Sequence, residues 1–257
     1  MKIDRSIAQI IENSSSITVL TGAGISAESG VATFRGKDGL WAKFKPEELA
    51  NVDAFLANPE MVWGWYQHRR DVLENVKPNA GHYALAEWES LADGFSLATQ
   101  NVDGLHRLAG SKKVLELHGN IRTNRCQSCG VECANETVSF SGKVPTCAAC
   151  GGMLRPAVVW FGEFLPESEL QAAFHAAEHC DLFLSVGTSS QVYPAAALPE
   201  IARESGAAVI EVNIEETPFT VLATCHMRGL AGSILPELVA LYRQSHVPQT
   251  ESEANSS

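Results

Sequence analysis

Long apolar runs are missing from this chain: no stretch approaches the roughly 18 apolar residues of a membrane span. Basic charge is also scarce. Lys and Arg number 19 against 30 Asp and Glu, a formal net charge of -11. That balance lacks the basic face of a nucleic-acid binder, and it attracts Lys-rich protein segments instead. The N-terminal stretch M-K-I-D-R-S-I-A-Q-I-I-E-N interrupts its apolar residues with acids and has no small-residue cleavage site. No secretory leader is expected, and the expected compartment is the cytoplasm. Disulfides are rare there, so seven cysteines suggest metal ligation first. The chain is expected to be monomeric, with a disordered polar tail at 245–257.

Two kinds of pattern alternate along the rest. Short apolar, β-branched runs at 17–20, 95–98, 182–186 and 207–212, with a shorter one at 114–117, read as strands. Helical patterns occupy 60–76, 80–91, 166–179 and 195–204. The alternation predicts an α/β fold, a Rossmann-like parallel sheet with helices on both faces. From Ile121 to Leu154 the periodicity disappears, so a small inserted module is expected there. The predicted organisation is a nucleotide-binding domain from 1–120 and 155–244, with a helical insert around 42–78, and a zinc-binding module at 121–154.

The first strand runs into T-G-A-G-I-S-A-E-S-G, where Gly22, Gly24 and Ala27 fit the G-x-G-x-x-G/A turn of dinucleotide sites. The usual ribose-binding acid about 20 residues on, at the end of a second strand, is absent. The site is dinucleotide-like with a non-standard continuation. Polar or glycine-bearing segments follow the other strands too: T-Q-N-V-D-G-L-H, H-G-N, G-T-S-S and N-I-E-E. Ligands in such sheets bind beyond the carboxyl ends of the strands.

Cys126-x2-Cys129 and Cys147-x2-Cys150 stand seventeen residues apart, inside the range of a zinc ribbon, and each pair is followed by glycine. Four thiolates fill a tetrahedral shell and leave no place for water, so the expected ion is structural. Cys133, close by, is expected to be a spectator, and Cys180 and Cys225 ordinary semi-buried residues. His118 lies where the run 114–117 ends, a place for a general base. A lone histidine is as readily a hydrogen-bonded structural residue, which is also the reading for His68, His82 and His106. Gln100, Asn101 and Asp103 suit ribose hydroxyls and a carboxamide, although turn formation alone would account for N-V-D-G.

Taken together, G-A-G-I-S-A-E-S-G, T-F-R-G, T-Q-N-V-D-G-L-H, E-L-H-G, the paired C-x-x-C, V-V-W-F-G-E, G-T-S-S and E-V-N resemble the sirtuins, NAD-dependent protein lysine deacylases, over roughly residues 10–242. The resemblance implies NAD consumed as a co-substrate, one structural zinc ion and acylated lysine segments of other proteins as partners. It places Ala23 and Gly24 at the pyrophosphate, within a segment running from Gly22 to Trp41, and Phe34 and Arg35 on the loop over the nicotinamide ribose. Ile25, Gln100, Asn101, Val102 and Asp103 would meet the ribose and carboxamide, with Asn101 and His118 in the chemistry. Gly187, Thr188, Ser189, Asn213, Ile214, Glu215 and Ala231 would hold the adenosine half. Val158, Val159, Trp160, Phe161, Gly162 and Glu163 would pair with the substrate backbone.

Tyr66 and Arg69 are spaced i and i+3 on a helical pattern, so a phenol and a guanidinium can share one face and grip a carboxylate. With Arg70, Asp71 and Glu74 beside them, a solvated charged face is the plain alternative. The stretch V-W-G-W-Y-Q-H-R-R-D-V is similar to class III sirtuins, which implies removal of succinyl, malonyl and glutaryl groups. Lys45-Pro46-Glu47 falls where the acyl pocket is shaped, and deacetylation is expected to persist alongside. A mainly acetyl-directed enzyme and a mono-ADP-ribosyltransferase on the same scaffold are the alternatives.

Overall fold

The computed structural model describes residues 3–33 and 45–247. In chain order, α1 (Arg5–Asn13) leads into β1 (Ser16–Thr21) and the short α2 (Ala23–Ala27). Then come α3 (Pro46–Leu49), α4 (Val52–Ala57), α5 (Pro59–Glu74) and α6 (Ala80–Leu91). Strand β2 (Gly94–Thr99) is followed by α7 (Leu105–Leu108), β3 (Val114–Glu116), β4 (Gly119–Cys126), β5 (Glu132–Ala134) and β6 (Leu154–Val158). The chain continues through α8 (Glu167–Glu178), β7 (Leu182–Val186), α9 (Leu198–Glu204), β8 (Ala208–Asn213), β9 (Cys225–Arg228) and α10 (Ala231–His246).

Six strands form one parallel sheet in the order β3-β2-β1-β7-β8-β9. Its central strands, such as β1 and β7, are mainly apolar and buried because both faces are covered. On one face Ile17, Val19, Leu97, Leu184 and Ile210 pack against α1, α6 and α10 through Ile11, Trp88, Leu235 and Tyr242. On the other, Leu20, Ala98, Phe183 and Val209 meet Ala173 and Ala177 of α8 and Leu198 and Ala202 of α9. The order reverses between β1 and β7, which opens a crevice above their carboxyl ends.

The cysteine-rich segment forms a separate antiparallel sheet, β5-β4-β6. Its apolar residues Ile121, Leu154 and the buried Cys126 and Cys147 join Phe55, Trp63, Tyr66 and Leu73 from the helical region in a third core. The indole of Trp63 donates to the Leu154 carbonyl (2.6 Å), and buried Arg70 donates to the Ile121 carbonyl (2.7 Å) and Asn124 Oδ1 (2.6 Å). Arg70 is therefore a brace between α5 and β4, not part of a solvated face.

Helix α10 runs through His246, two residues into the stretch expected to be a polar tail. Ser245 Oγ donates to the Leu241 carbonyl (3.0 Å), and the His246 ring stacks on Tyr242 at 4.0 Å, which extends the helix. Among the described residues no helix is long and apolar enough to cross a membrane.

Candidate active site

The loops after β1 and β7 interlock. The Gly22 amide donates to the Val186 carbonyl (2.9 Å) and the Gly24 amide to the Gly187 carbonyl (2.8 Å). A Cβ on Gly24 would lie 2.7 Å from the Gly187 Cα, and one on Gly22 2.7 Å from the Thr188 Cα. These glycines are needed first for the two loops to touch, beyond any approach to a phosphate. Helix α2 is preceded by Gly22, which offers no side-chain cap, and the Gly22, Gly24 and Ile25 amides bond to the Val186, Gly187 and Gly22 carbonyls, so what this end turns to the crevice is chiefly the Ala23 amide and the positive end of the helix.

The loops after β2 and β3 bring the polar chemistry. His118 Nδ1 lies 3.0 Å from the Gln100 carbonyl, which can only accept. The proton therefore sits on Nδ1, and Nε2 carries the lone pair of a base. Burial pulls the ring below its ordinary pKa, against the pull of the Gln100 carbonyl, and keeps it neutral. The Gln100 side chain reaches the other way and accepts from Thr188 Oγ1 (2.8 Å), while Asn213 Nδ2 donates to the Thr188 carbonyl (2.9 Å). The base and the loops after β7 and β8 are thus tied by direct bonds.

Beneath this layer lies a buried polar network. Asn101 Nδ2 donates to the Gly22 carbonyl (3.0 Å) and to Ser26 Oγ (3.2 Å), and Ser26 Oγ donates to Asp103 Oδ2 (2.8 Å). Asp103 also accepts from the Leu105 amide (2.9 Å), and burial raises its pKa. His82 accepts the Asn79 amide at Nδ1 (3.3 Å), which turns its Nε2 proton toward Ser26 Oγ at 3.4 Å. His106 Nε2 stands 2.8 Å from Thr21 Oγ1, whose own proton goes to Thr99 Oγ1. Burial depresses His82 to about 4. Burial, and then the neighbouring His82, depresses His106 to about 3. His82 and His106 are structural histidines as expected; that they lie with Ser26 beneath the site was not expected, and the Asn79–His82 spacing of a helix cap is the local signal for His82.

A third group of residues comes from α5 and the segment after β6. Tyr66 and Arg69 both face the crevice, and burial pushes the Tyr66 phenol up to about 12. Burial also lowers the Arg69 pKa, with Tyr66 and Asp103 opposing, and the guanidinium lies 5.0 Å from the Trp65 ring centroid.

These parts line one cavity of about 980 Å³. Gly22, Ala23, Gly24, Ala27, Gln100, Asn101, Val102, His118, Gly187, Thr188, Ser189, Asn213, Ile214, Glu215 and Ala231 line it together with Tyr66, Arg69 and residues 158–163. Asp103 instead lines a small adjoining recess with Ser26 and Arg69, and Ile25 is fully buried in the core below. Phe34, Arg35 and Trp41 lie outside the described residues, as do the side chains of Pro46 and Glu47. Lining residues that the sequence did not suggest include Gln191, Tyr193, Thr217 and Leu230.

The four cysteines Cys126, Cys129, Cys147 and Cys150 bring their sulfur atoms within 4.8 Å of one another, with Sγ–Sγ separations of 3.5 Å for Cys126–Cys150 and 3.7 Å for Cys129–Cys147. A zinc tetrahedron with Zn–S of about 2.3 Å has edges of roughly 3.8 Å, so the cage fits that ion. The amides of Cys129 and Ser128 point at Cys126 Sγ and bring that thiol down to about 6. Against the Val131 amide, hydrogen bonds with Cys150 and Cys126 push Cys129 up to about 12. So dense a set of thiols needs a cation before all four can ionise. Cys133 stands outside the cage with Cys180 and Cys225.

Comparison with known proteins agrees with this geometry. The Sir2 family model matches residues 22–194. An NAD-dependent protein deacylase of Aquifex aeolicus is 53% identical over 230 residues, covering 90% of this chain and 96% of that protein. NAD-dependent protein deacylase 2 of Pyrobaculum aerophilum is 50% identical, covering 91% and 93%. A crystal structure of a Sir2 homologue in complex with NAD superposes with a TM-score of 0.89 at 47% identity, over 95% of both chains. A Sir2 structure with a p53 peptide and NAD+ gives 0.83 at 34% identity, over 93% of this chain and 98% of that one. The fold, the cysteine cage and these relatives together place the chain in the Sir2 family.

Proposed function

We propose that this Sir2-family enzyme is an NAD-dependent protein lysine deacylase that prefers acyl groups ending in a carboxylate (succinyl, malonyl and glutaryl) and removes acetyl alongside. The observation that carries the reading is a single cavity lined by the interlocked glycine loops, by His118 and by the Tyr66–Arg69 pair. When bound there, NAD would supply an anomeric carbon whose bond to nicotinamide breaks as one to the acyl oxygen forms, and water would complete the transfer, giving nicotinamide, free lysine and O-acyl-ADP-ribose.

The chain's own residues divide the remaining work. The start of α2 and the loop at Gly187–Ser189 would take the diphosphate and adenosine half, supported by the cavity wall they share with Asn213, Ile214, Glu215 and Ala231. His118, fixed through Nδ1, presents Nε2 as the base for a ribose hydroxyl. Asn101, anchored from below by Gly22 and Ser26, and Gln100 bear on the ribose and carboxamide. The segment 158–163 offers main chain to the substrate backbone. Its amides at Val159, Trp160 and Phe161 are already engaged by the His118 carbonyl, Glu163 and the Ala50 carbonyl. Pairing therefore falls to Gly162 and to outward carbonyls. The acyl chain would run inward to Arg69, whose fork suits a carboxylate, and to the Tyr66 hydroxyl. The cysteine cage stands outside the cavity lining and holds β4 and β6.

The test is product analysis by mass spectrometry with acetyl, succinyl and glutaryl peptides, with and without NAD. Free-lysine peptide, nicotinamide and O-acyl-ADP-ribose in equal amounts, fastest for succinyl or glutaryl, are expected only with NAD. ADP-ribosylated protein without deacylated peptide would favour the transferase instead.

A further inference from the structure

The hydroxyl of Tyr66 has one hydrogen-bond partner among the described residues, the indole of Trp160. Trp160 Nε1 lies 2.8 Å from Tyr66 Oη, with both side chains buried. An indole nitrogen can only donate, so the direction of this bond is fixed. It fills an acceptor position on the phenol oxygen and leaves the phenol proton to be donated. Burial, pushing the phenol well above its ordinary pKa, keeps that proton on at neutral pH.

The indole is itself held rigidly. The guanidinium of Arg155, fully buried, lies 3.6 Å from the Trp160 ring centroid. Arg155 also makes a forked pair with Glu163, Nη2–Oε2 at 2.6 Å and Nη1–Oε1 at 2.9 Å, and donates to the Val158 carbonyl at 2.9 Å. Glu163 Oε2 in turn accepts the Trp160 amide at 2.8 Å. The ring of contacts closes: Arg155 grips Glu163, Glu163 grips the Trp160 backbone, and Arg155 covers the Trp160 ring. A cation over the face of an indole draws electron density from it and makes its N–H a stronger donor.

We propose that Trp160 and Arg155 are positioning residues for acyl selectivity, holding the Tyr66 hydroxyl as a donor aimed at the terminal carboxylate of the acyl chain. The proposal rests on the carboxylate reading of Tyr66 and Arg69. It gives Trp160 a side-chain role in addition to its place in the substrate-pairing segment, and it gives a buried arginine outside that pair a part in choosing the acyl group.

The test measures kcat/KM for succinyl and acetyl versions of one peptide in the wild-type enzyme, W160F, Y66F and the W160F/Y66F double variant. The acetyl peptide is the internal reference for changes in NAD or backbone binding. W160F keeps an aromatic ring and removes the N–H, and the succinyl-to-acetyl ratio is expected to fall roughly five-fold, chiefly through KM. Y66F should lower the ratio at least as far, and the double variant should fall no further than Y66F, because both act through one bond. R155K keeps a buried cation beside Glu163 without the stacked plane, and should shift the ratio the same way by a smaller factor. If Y66F lowers the ratio and W160F does not, or if their effects multiply, the positioning role is overturned while the carboxylate reading stands. If Y66F leaves the ratio unchanged, both are overturned. Should W160F fail to fold, an unchanged ratio in R155K overturns the proposal by itself.

Discussion

The two ends of the cavity are built differently. The end proposed for the nucleotide consists of loops at strand ends, where glycine contacts and backbone hydrogen bonds make the shape and the strand order fixes the position. The end proposed for the acyl group consists of side chains from α5 and from the segment after β6, meeting across a core shared with the cysteine module. Backbone-built surface depends on a few small residues at fixed spacing. Side-chain-built surface depends on packing between distant segments, so it is where one member of a fold can differ from another.

The largest expected effect falls at the junction of the two ends. His118→Ala should lower kcat by about 10²–10⁴-fold for every acyl group, with an unchanged circular dichroism spectrum. The wild-type pH profile carries the same information. Burial lowers the His118 pKa, so the acid limb of kcat/KM should lie below pH 6.5, the ordinary imidazole value. An acid limb above that value would remove His118 as the base.

Cys150→Ser should separate the ends. The cage shares a core with Trp63, Tyr66 and Trp160. Loss of metal, read by elemental analysis, should therefore lower Tm and raise the KM for succinyl peptide more than the KM for NAD. Gly24→Ala does the reverse. Its Cβ would press on the Gly187 backbone at 2.7 Å, so the KM for NAD should rise about ten-fold while the succinyl-to-acetyl ratio stays fixed. If either variant moves both ends equally, the division is wrong.

The smallest effect is one of stability. His82 and His106 fold with pKa values near 4 and near 3, so each is neutral in the native state. Below about pH 6.5 the unfolded chain binds protons that the native chain does not. Stability from these rings is complete above that pH and is lost as pH falls toward their folded values. Melting curves from pH 7 to pH 4.5 should show Tm falling, and His82→Asn should flatten the slope.

Much of the fold was legible because parallel strands buried on both faces are continuous apolar runs, and the runs at 17–20, 95–98 and 182–186 each lie within a strand. Edge strand β9, C-H-M-R, has no such run, and α10 carries Pro236 inside it, so neither stood out. The zinc cage was legible from spacing alone, since two C-x-x-C turns carry their own geometry. Residues 158–163 were legible only as backbone. That the Trp160 indole meets Tyr66 depends on residues 94 positions apart being folded together, and no local pattern records it. His82 and His106 were legible as hydrogen-bonded structural histidines, but not the partners they take. Their partners Ser26 and Thr21 lie in α2 and β1, far upstream.

The most direct measurement is the ratio of kcat/KM for succinyl over acetyl peptide in the wild-type enzyme and in a Tyr66→Phe, Arg69→Met double variant. The account predicts a wild-type ratio above one that collapses by about ten- to a hundred-fold in the variant, with NAD-dependent deacetylation retained. Equal loss of both activities, or a ratio indifferent to the substitution, would contradict it.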